Sequence, residues 1–382
     1  ARITDDVVDP PGGRFGRADG RLNGVVGEPP AMLRLLAPVP KPDEAGIAAG
    51  VRRILTRAAA RGVTSVRDAA TGTLAGVGEV ALLHRINGAD RLPVRVSTAQ
   101  FGAVPGKTPA EVAARWAEAG VTPFSGDAMV RADAWKLVTD GSNQGRSGYF
   151  LQPYLGQPDG GHANFTPESL REALSAGLDQ GWQLMVHTNG DAAVEFALTA
   201  LEELLPRYGP NDLRHRFEHA SFTTDDQLMR MAMAGISPSF LMNHVYFWGA
   251  AFRDTILGAD RAGRLDRVAS AYAAGLRPSL HSDYDVTDID PLLSARTAVR
   301  RTLEADGTVL NPDECVTPAQ ALAAITDHAA WQIHADDRGR LAVGNRADFA
   351  VVSEDPWTTE PEAWPAIEVH ETYIDGTPAF RG

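Results

Sequence analysis

The feature that most constrains the fold is an alternation of short β-branched or apolar runs with amphipathic stretches of helical period. This alternation predicts seven strands, at residues 63–68, 93–98, 134–139, 183–187, 214–219, 236–240 and 277–280. It also predicts helices at residues 45–60, 109–119, 167–180, 192–205, 225–234 and 261–274, and one that begins at Pro291. Seven strand–helix units in a row indicate a parallel sheet covered by helices.

Eight such units would close a TIM-like barrel, and this chain supplies one fewer. A doubly wound open sheet is the alternative, but no glycine-rich phosphate loop follows any of the predicted strands. We therefore predict an α/β fold, a TIM-like (β/α) barrel that holds strands two to eight.

The two ends of the chain differ from this middle part. Residues 1–45 are rich in Gly, Pro and Asp, with turns expected at residues 10–13 and at Asp19-Gly20, and we predict an irregular segment there. A helix is predicted at residues 317–333, a strand at 347–352, and then a hairpin that turns at Asp375-Gly376. So few strands must pack on the barrel or pair with strands outside the chain. The predicted divisions are 1–45, a barrel at 46–335 and a C-terminal portion at 336–382.

Composition excludes several classes of partner. The formal net charge of −13 argues against nucleic acid and anionic membranes. The single cysteine, Cys315, excludes a disulfide framework and a cysteine-rich zinc site. No apolar run approaches the ~20 residues of a membrane span, and no signal-peptide pattern opens the chain. We expect a cytoplasmic protein that acts on a small molecule.

Four residues able to bind or bridge divalent metal lie in or just after predicted strands. They are Lys136, His187, His219 and Asp283. In a parallel barrel the carboxyl ends of the strands form the rim where active sites are built. The order Lys, His, His, Asp suits a hydrolase that uses two metal ions. No His-x-His pair occurs anywhere in the chain.

Several stretches resemble motifs of the amidohydrolase superfamily, specifically the amidohydrolase family 3 branch that includes N-substituted formamide deformylases. The matching stretches are KLVTDGS at 136–142, VHTNGDAA at 186–193, RHRFEHA at 214–220, Ser282-Asp283, GNRADFAV at 344–351 and PSFLMNHVYFWG at 238–249. The resemblance covers nearly the whole chain in the right order. It implies that residues 336–382 form part of a small β-sandwich.

The resemblance also implies a mechanism. Lys136 would carry a carbamate that bridges two divalent ions, with zinc the most suitable. His187 and His219 would bind one ion through neutral imidazole nitrogens. Asp283 would bind the other ion and act as general base, taking a proton from a metal-activated water and passing it to the leaving amine. The expected reaction is hydrolysis of a C–N bond in an amide or an N-substituted formamide.

The chain departs from the family pattern at one point. The family's first barrel strand ends in His-x-His, which holds the second ion, and an N-terminal piece completes the sandwich. We expect that about a third of a family member is missing, so that either another chain supplies it or this chain cannot assemble the full site. The expected partners are a complementing N-terminal fragment or further copies of the chain in a homo-oligomer.

Other residues carry weaker expectations. His244, Trp248 and Tyr149 are candidate substrate contacts, since aromatic side chains on rim loops suit an aryl or alkyl N-substituent. For His281 we expect a packing role rather than a role in catalysis or binding. Two further functions stay open, a truncated non-catalytic or regulatory barrel and a small-molecule binding scaffold with other chemistry.

Overall fold

The chain divides into two units, Ala1–Val51 and Arg52–Gly382, and the computed structural model describes residues 3–10 and 13–382. In the first unit, strands β1 (Arg14–Ala18) and β2 (Arg21–Gly27) form an antiparallel hairpin, and helix α1 (Pro29–Leu36) follows. Residues 14–36 are therefore regular, where the sequence suggested an irregular segment. Asp19 and Gly20 have positive φ angles of 50° and 79°, and they close the hairpin as a tight turn. Of the turn expected at residues 10–13, Pro11 and Gly12 lie outside the described residues.

The second unit is built on seven parallel strands, whose order across the sheet is their order along the chain. They are β3 (Ser65–Thr71), β4 (Arg95–Phe101), β5 (Val130–Val138), β6 (Gln183–Thr188), β7 (Arg216–His219), β8 (Ser237–Phe240) and β9 (Ser279–Leu280). A doubly wound sheet would show a reversal of strand order, and this sheet has none. It curls into a half-barrel, which confirms the predicted TIM-like architecture.

Helices lie before, between and after these strands along the chain. They are α2 (Glu44–Ala59), α3 (Gly78–Ala89), α4 (Pro109–Glu118), α5 (Pro167–Leu178), α6 (Asp191–Leu204), α7 (Asp225–Met233), α8 (Asn243–Ala251), α9 (Ala259–Ala262), α10 (Val268–Ala273), α11 (Pro291–Arg300), α12 (Pro318–Ile325) and α13 (Asp327–Gln332). Four of them begin at a threonine whose side chain accepts from the third helical backbone N–H, in a capping box: Thr108, Thr166, Thr224 and Thr317. None of the helices in the described residues is long and apolar enough to cross a membrane.

Four helical segments differ from the prediction. The helix expected at 261–274 is two short helices, α9 and α10, because Asp266 between them adopts a left-handed φ of 48°. The helix expected at 317–333 is broken at Thr326, which has φ −128° and ψ −92°. The aromatic stretch expected to be a rim loop forms helix α8, followed by a π-helical turn at Phe252–Ile256. Helix α3 was not predicted.

The C-terminal strands pack on the barrel. Strands β10 (Phe349–Val352), β11 (Val369–Ile374) and β12 (Thr377–Arg381) form an antiparallel sheet. The Asp348 carboxylate accepts hydrogen bonds from Arg95 Nε (2.6 Å) and Nη2 (2.9 Å) at the start of β4. Thr372 Oγ1 in β11 donates to Ala59 O at 2.6 Å. These contacts attach the small sheet to the barrel unit.

The two faces of the curled sheet differ in chemistry. Outward side chains such as Trp135, Leu184 and Phe217 join the apolar core beneath the helices. Inward side chains are largely polar, and they meet across strands that are not neighbours. Arg67 of β3, for example, pairs with Asp133 of β5 at 2.6 Å. The concave face therefore offers a polar lining that a reaction can use.

Candidate active site

The four predicted ligands lie at the carboxyl ends of their strands. Val138 is in register with His187, and Thr188 is in register with His219, so the ends of β5, β6 and β7 share one rim. Lys136 lies two residues before the end of β5, and Asp283 lies three residues after the end of β9. The structure thus gathers the predicted residues on one side of the half-barrel.

His219 turns into the rim because its backbone is unusual. By strand alternation it would follow Phe217 onto the outer, apolar face. Its φ of 66°, followed by 44° at Ala220, places both residues in the left-handed region. Non-glycine residues in that conformation often mark functional positions. The His219 ring lies edge-on to His187, with centroids 4.5 Å apart.

His281 completes a three-ring group that we call the histidine cluster, made of His187, His219 and His281. Its Nε2 lies 3.3 Å from His219 Nδ1, and its Nδ1 lies 2.9 Å from Ser239 Oγ. Glu218 Oε2 is 4.0 Å from the same Nδ1. His281, expected to pack, is instead hydrogen-bonded to a predicted metal ligand.

Burial favours the neutral forms of His219 and His281. It lowers the pKa of His219 well below its usual value, and positive charge on His187 or His281 would lower it further. Burial also lowers the pKa of His281, although Glu218 and Asp283 oppose that shift. A neutral imidazole retains the lone pair that a metal ion needs.

Lys136 is 5% exposed at the base of this group. Burial lowers the pKa of its ammonium, while the nearby charges of Glu218 and Asp283 favour the charged form. A lysine amine must be neutral to react with carbon dioxide, so the direction of this shift suits carbamate formation.

Asp140 organises the loop after β5. Its Oδ1 accepts from Asn189 N at 2.9 Å, and its Oδ2 accepts from Tyr149 N at 2.8 Å and Gly190 N at 2.9 Å. His187 Nε2 lies 3.4 Å from Asp140 Oδ1 and 3.1 Å from Asn189 Nδ2. With a proton on Nε2 the ring can donate to Asp140, and with a lone pair on Nε2 it can accept from Asn189, so either contact uses Nε2 rather than Nδ1.

Asp283 lies in a turn at the rim. Its side chain is half-buried, its φ is 50°, and its carbonyl accepts from Val286 N at 2.6 Å. Its charge acts on both Lys136 and His281. A carboxylate in this position can exchange protons with a molecule bound at the rim.

The donor types fit a divalent ion, because imidazoles on neighbouring strands, an aspartate and a lysine able to form a carbamate are all suitable ligands. The geometry is less complete. Among residues 3–10 and 13–382, no group of three or more His, Cys, Asp or Glu side chains stands ready to hold an ion. The described residues thus include side chains of the right type, but they are not arranged as a complete set of metal ligands.

The three predicted substrate contacts occupy different settings. His244 is buried in α8, edge-on to Trp248 at 5.6 Å between ring centroids, and its Nε2 lies 2.6 Å from Gln144 Nε2. Burial lowers the pKa of His244 to about 3. Trp248 is half-buried on the same helix rather than on a loop. Tyr149 is half-buried, and its backbone is fixed by Asp140.

A cavity of about 370 Å³ opens at the amino ends of β3, β4 and β5 rather than at the rim. Its charged lining is already paired, as Arg131 with Asp133 at 3.3 Å and Arg346 with Asp337 at 2.6 Å show. Amino-terminal ends of barrel strands ordinarily serve stability. The rim therefore remains the candidate site.

Sequence reasoning missed the supporting residues of the site. Asp140 and Asn189 lie inside the quoted motifs, so their position beside Lys136 and His187 was the available signal. Glu218 precedes His219 directly and pairs with Arg216 at 2.7 Å inside the barrel. Two opposite charges two residues apart in a strand, Arg216 and Glu218, were the available clue to that pair.

Comparisons with known proteins identify relatives of this chain. The chain is 30% identical over 257 residues to the putative amidohydrolase YtcJ of Bacillus subtilis, covering 65% of this chain and 47% of that protein. It is 32% identical over 219 residues to the N-substituted formamide deformylase of Arthrobacter pascens, covering 56% and 40%. The chain thus spans less than half the length of these curated relatives.

Solved structures share the fold. An uncharacterized metal-dependent hydrolase from Pyrococcus horikoshii OT3 superposes with a TM-score of 0.74 at 20% identity, covering 91% of this chain and 68% of that one. A sequence profile of the amidohydrolase family matches residues 1–380. With the profile spanning nearly every residue, the chain belongs to the amidohydrolase family.

Proposed function

We propose that this chain carries the rim of a metal-dependent hydrolase that cleaves a C–N bond in an amide or N-substituted formamide. The observation that carries the proposal is the histidine cluster beside the buried Lys136, with the pKa values of His219 and His281 lowered by burial. The likeness to an N-substituted formamide deformylase supports the substrate class.

In this proposal each predicted residue has one task. His187 and His219 hold a divalent ion, most suitably zinc, through neutral nitrogens. Lys136, as a carbamate, supplies a negatively charged oxygen ligand in place of an ammonium. Such an ion, when bound, lowers the pKa of water towards ~7 and polarises a carbonyl oxygen.

Asp283 performs the proton transfers. As a carboxylate it accepts a proton from the attacking water, and it then donates that proton to the departing nitrogen, so that an amine leaves rather than an amide anion. The half-buried position of Asp283 allows contact with both the water and the substrate. His244, Trp248 and Tyr149 are proposed to contact the N-substituent.

The complete site needs residues beyond this sequence. The resemblance assigns a His-x-His pair to the second ion, and these 382 residues contain none. We propose that a complementing N-terminal segment supplies those ligands, because a second copy of the chain would lack the pair as well. The chain alone should then be weakly active or inactive.

Turnover of N-benzylformamide tests the proposal. We expect the complemented protein to release benzylamine, and Asp283→Asn to lower kcat by about 10²–10⁴-fold, because general acid–base catalysis contributes that much. The matched control is Asp285→Asn, an exposed aspartate two residues away, which should retain activity. Equal activity of Asp283→Asn and the parent protein would refute the role of Asp283.

A non-catalytic barrel is the second candidate. The lack of a His-x-His pair in the sequence is the reason to keep this alternative. Protein that binds no divalent ion and releases no amine, even with a complementing segment, would establish this alternative.

A further inference from the structure

A chain of hydrogen bonds runs through the barrel interior from Gln332 to His219. Its members are Gln332, Ser279, Ser239, His281 and His219, in that order. Gln332 belongs to α13, and the two serines belong to β9 and β8. Because each member has a limited number of protons, the direction of every hydrogen bond can be worked out from one fixed end.

Gln332 is the fixed end. Its side chain is fully buried, and Nε2 donates to Pro238 O at 2.9 Å and to Arg277 O at 2.8 Å. Backbone carbonyls only accept, so both amide hydrogens are used and the orientation of the amide is set. Oε1 therefore faces Ser279 Oγ, at 2.6 Å, as an acceptor.

The orientation of the Gln332 amide determines which serine donates in each of the next hydrogen bonds. Ser279 has one hydroxyl proton and must donate it to Gln332 Oε1. Ser279 Oγ is also 2.9 Å from Ser239 Oγ, so Ser239 donates in that contact. With its only proton used, Ser239 Oγ can only accept from His281 Nδ1, at 2.9 Å.

The two histidines complete the sequence. His281 thus carries its proton on Nδ1, where Glu218 Oε2 at 4.0 Å also favours it. Its Nε2 then holds a lone pair and accepts from His219 Nδ1, 3.3 Å away. His219 in turn keeps its lone pair on Nε2. In a neutral imidazole, the partner of one nitrogen sets the state of the other.

We propose that Gln332, Ser279 and Ser239 are positioning residues, which fix His219 as the tautomer that presents Nε2 to a divalent cation. This inference rests on the proposed function for the identity of the ligand, whereas the tautomer itself follows from the hydrogen-bond chain alone. An isolated histidine prefers its proton on Nε2, so the barrel reverses the ordinary preference at both rings.

Nuclear magnetic resonance tests the tautomers directly. Long-range ¹H–¹⁵N correlation spectra of the metal-free, ¹⁵N-labelled chain at pH 7.5 distinguish a protonated ring nitrogen from a lone-pair nitrogen. We expect His219 and His281 both to show protonated Nδ1, with His219→Gln and His281→Gln giving the assignments. A protonated Nε2 on either ring of the parent protein would overturn the inference.

Substitution of Ser279 tests whether its hydroxyl group determines the tautomers of His281 and His219. Ser279→Ala frees the Ser239 proton to bind His281 Nδ1, so we expect both rings to shift towards protonated Nε2. Ser279→Thr keeps the hydroxyl and should restore the parent spectrum. The matched control is Ser237→Ala, a buried serine two residues before Ser239 in the same strand, which should leave both tautomers unchanged. Unchanged tautomers in Ser279→Ala would contradict the proposal.

Cobalt(II) titration followed by absorbance separates this inference from the proposed function. We expect Ser279→Ala to weaken Co²⁺ binding on the order of 10-fold, as loss of a group that orients a ligand does, and Ser237→Ala to bind as the parent does. If the parent shows the expected tautomers but binds no Co²⁺, the proposed function fails and the tautomer assignment stands. Equal Co²⁺ affinity of Ser279→Ala and the parent would refute the positioning role.

Discussion

At the residue scale, Lys136 differs from the other two lysines of the chain. Lys41 and Lys107 are exposed, whereas Lys136 is buried and its pKa is lowered. We expect ¹³C-bicarbonate to give a carbamate carbon resonance that disappears in Lys136→Met and persists in Lys107→Met. A signal that survives Lys136→Met, or its absence from the complemented parent protein, would contradict the bridging role.

His215 gives the barrel a dependence on pH. Burial lowers its pKa from 6.5 to about 4, and its Nδ1 accepts from Leu184 N at 3.0 Å, which requires a neutral ring. Because the unfolded state binds the proton first, the stability that His215 contributes is present above pH 6.5 and is lost as the pH falls towards 4. The loss should reach about 3 kcal/mol.

Urea unfolding at a series of pH values measures this effect. His215→Gln should flatten the fall in unfolding free energy between pH 6.5 and 4. The exposed His162→Gln is the control and should keep the slope of the parent protein. An unchanged slope in His215→Gln would show that other groups cause the acid sensitivity.

The sequence predicted the candidate ligands but not the residues that orient them. Lys136, His187, His219 and Asp283 could be placed from strand ends and motifs, because each is a reactive side chain in a marked position. Ser239, Ser279 and Gln332 have neutral polar side chains that no sequence pattern marks as buried or paired, and Gln332 lies 53 residues after Ser279. Only the folded geometry brings them together.

At the element scale, one buried ion pair attaches the C-terminal sheet to the barrel. Arg95 and Asp348 have side chains only 2% and 1% exposed. Removing one partner leaves the other charge buried, so Arg95→Met should lower the unfolding free energy by about 3–5 kcal/mol. Chemical denaturation measures the change.

The control for Arg95→Met is Arg340→Met. Arg340 pairs with Asp327 at 3.4 Å, but the two side chains are 65% and 39% exposed. Surface pairs of this kind contribute little, so this variant should unfold close to the parent. If the two variants lose the same amount of unfolding free energy, the buried Arg95–Asp348 pair contributes no more to stability than an exposed pair does.

Helices and strands could be predicted where the local sequence pattern and the tertiary contacts favour the same backbone conformation. The seven barrel strands have apolar or β-branched runs, and all seven were placed within a few residues. The helix expected at 261–274 failed because tertiary contacts place Asp266 in a left-handed conformation in its middle. The β1–β2 hairpin was missed because glycines and charged residues conceal its alternation.

At the scale of the whole molecule, the half-barrel leaves two strand edges. In the described residues, β3 and β9 are the terminal strands of the seven-stranded sheet. β9 is buried, whereas β3 is mainly half-buried and has no partner strand on its outer side among residues 3–10 and 13–382, and an edge of that kind favours association with another chain. Size-exclusion chromatography with light scattering should therefore give a mass above the 40.8 kDa of one chain. A well-behaved monomer across the micromolar range would contradict this expectation.

The account as a whole depends on a divalent ion held at the rim. Plasma mass spectrometry of the purified chain measures that ion directly, with His219→Gln as the test variant and the exposed His162→Gln as the control. We predict about one zinc per chain in the parent protein and in His162→Gln, and a marked loss in His219→Gln. Parent protein without a bound ion, or an ion content that His219→Gln leaves unchanged, would contradict the account.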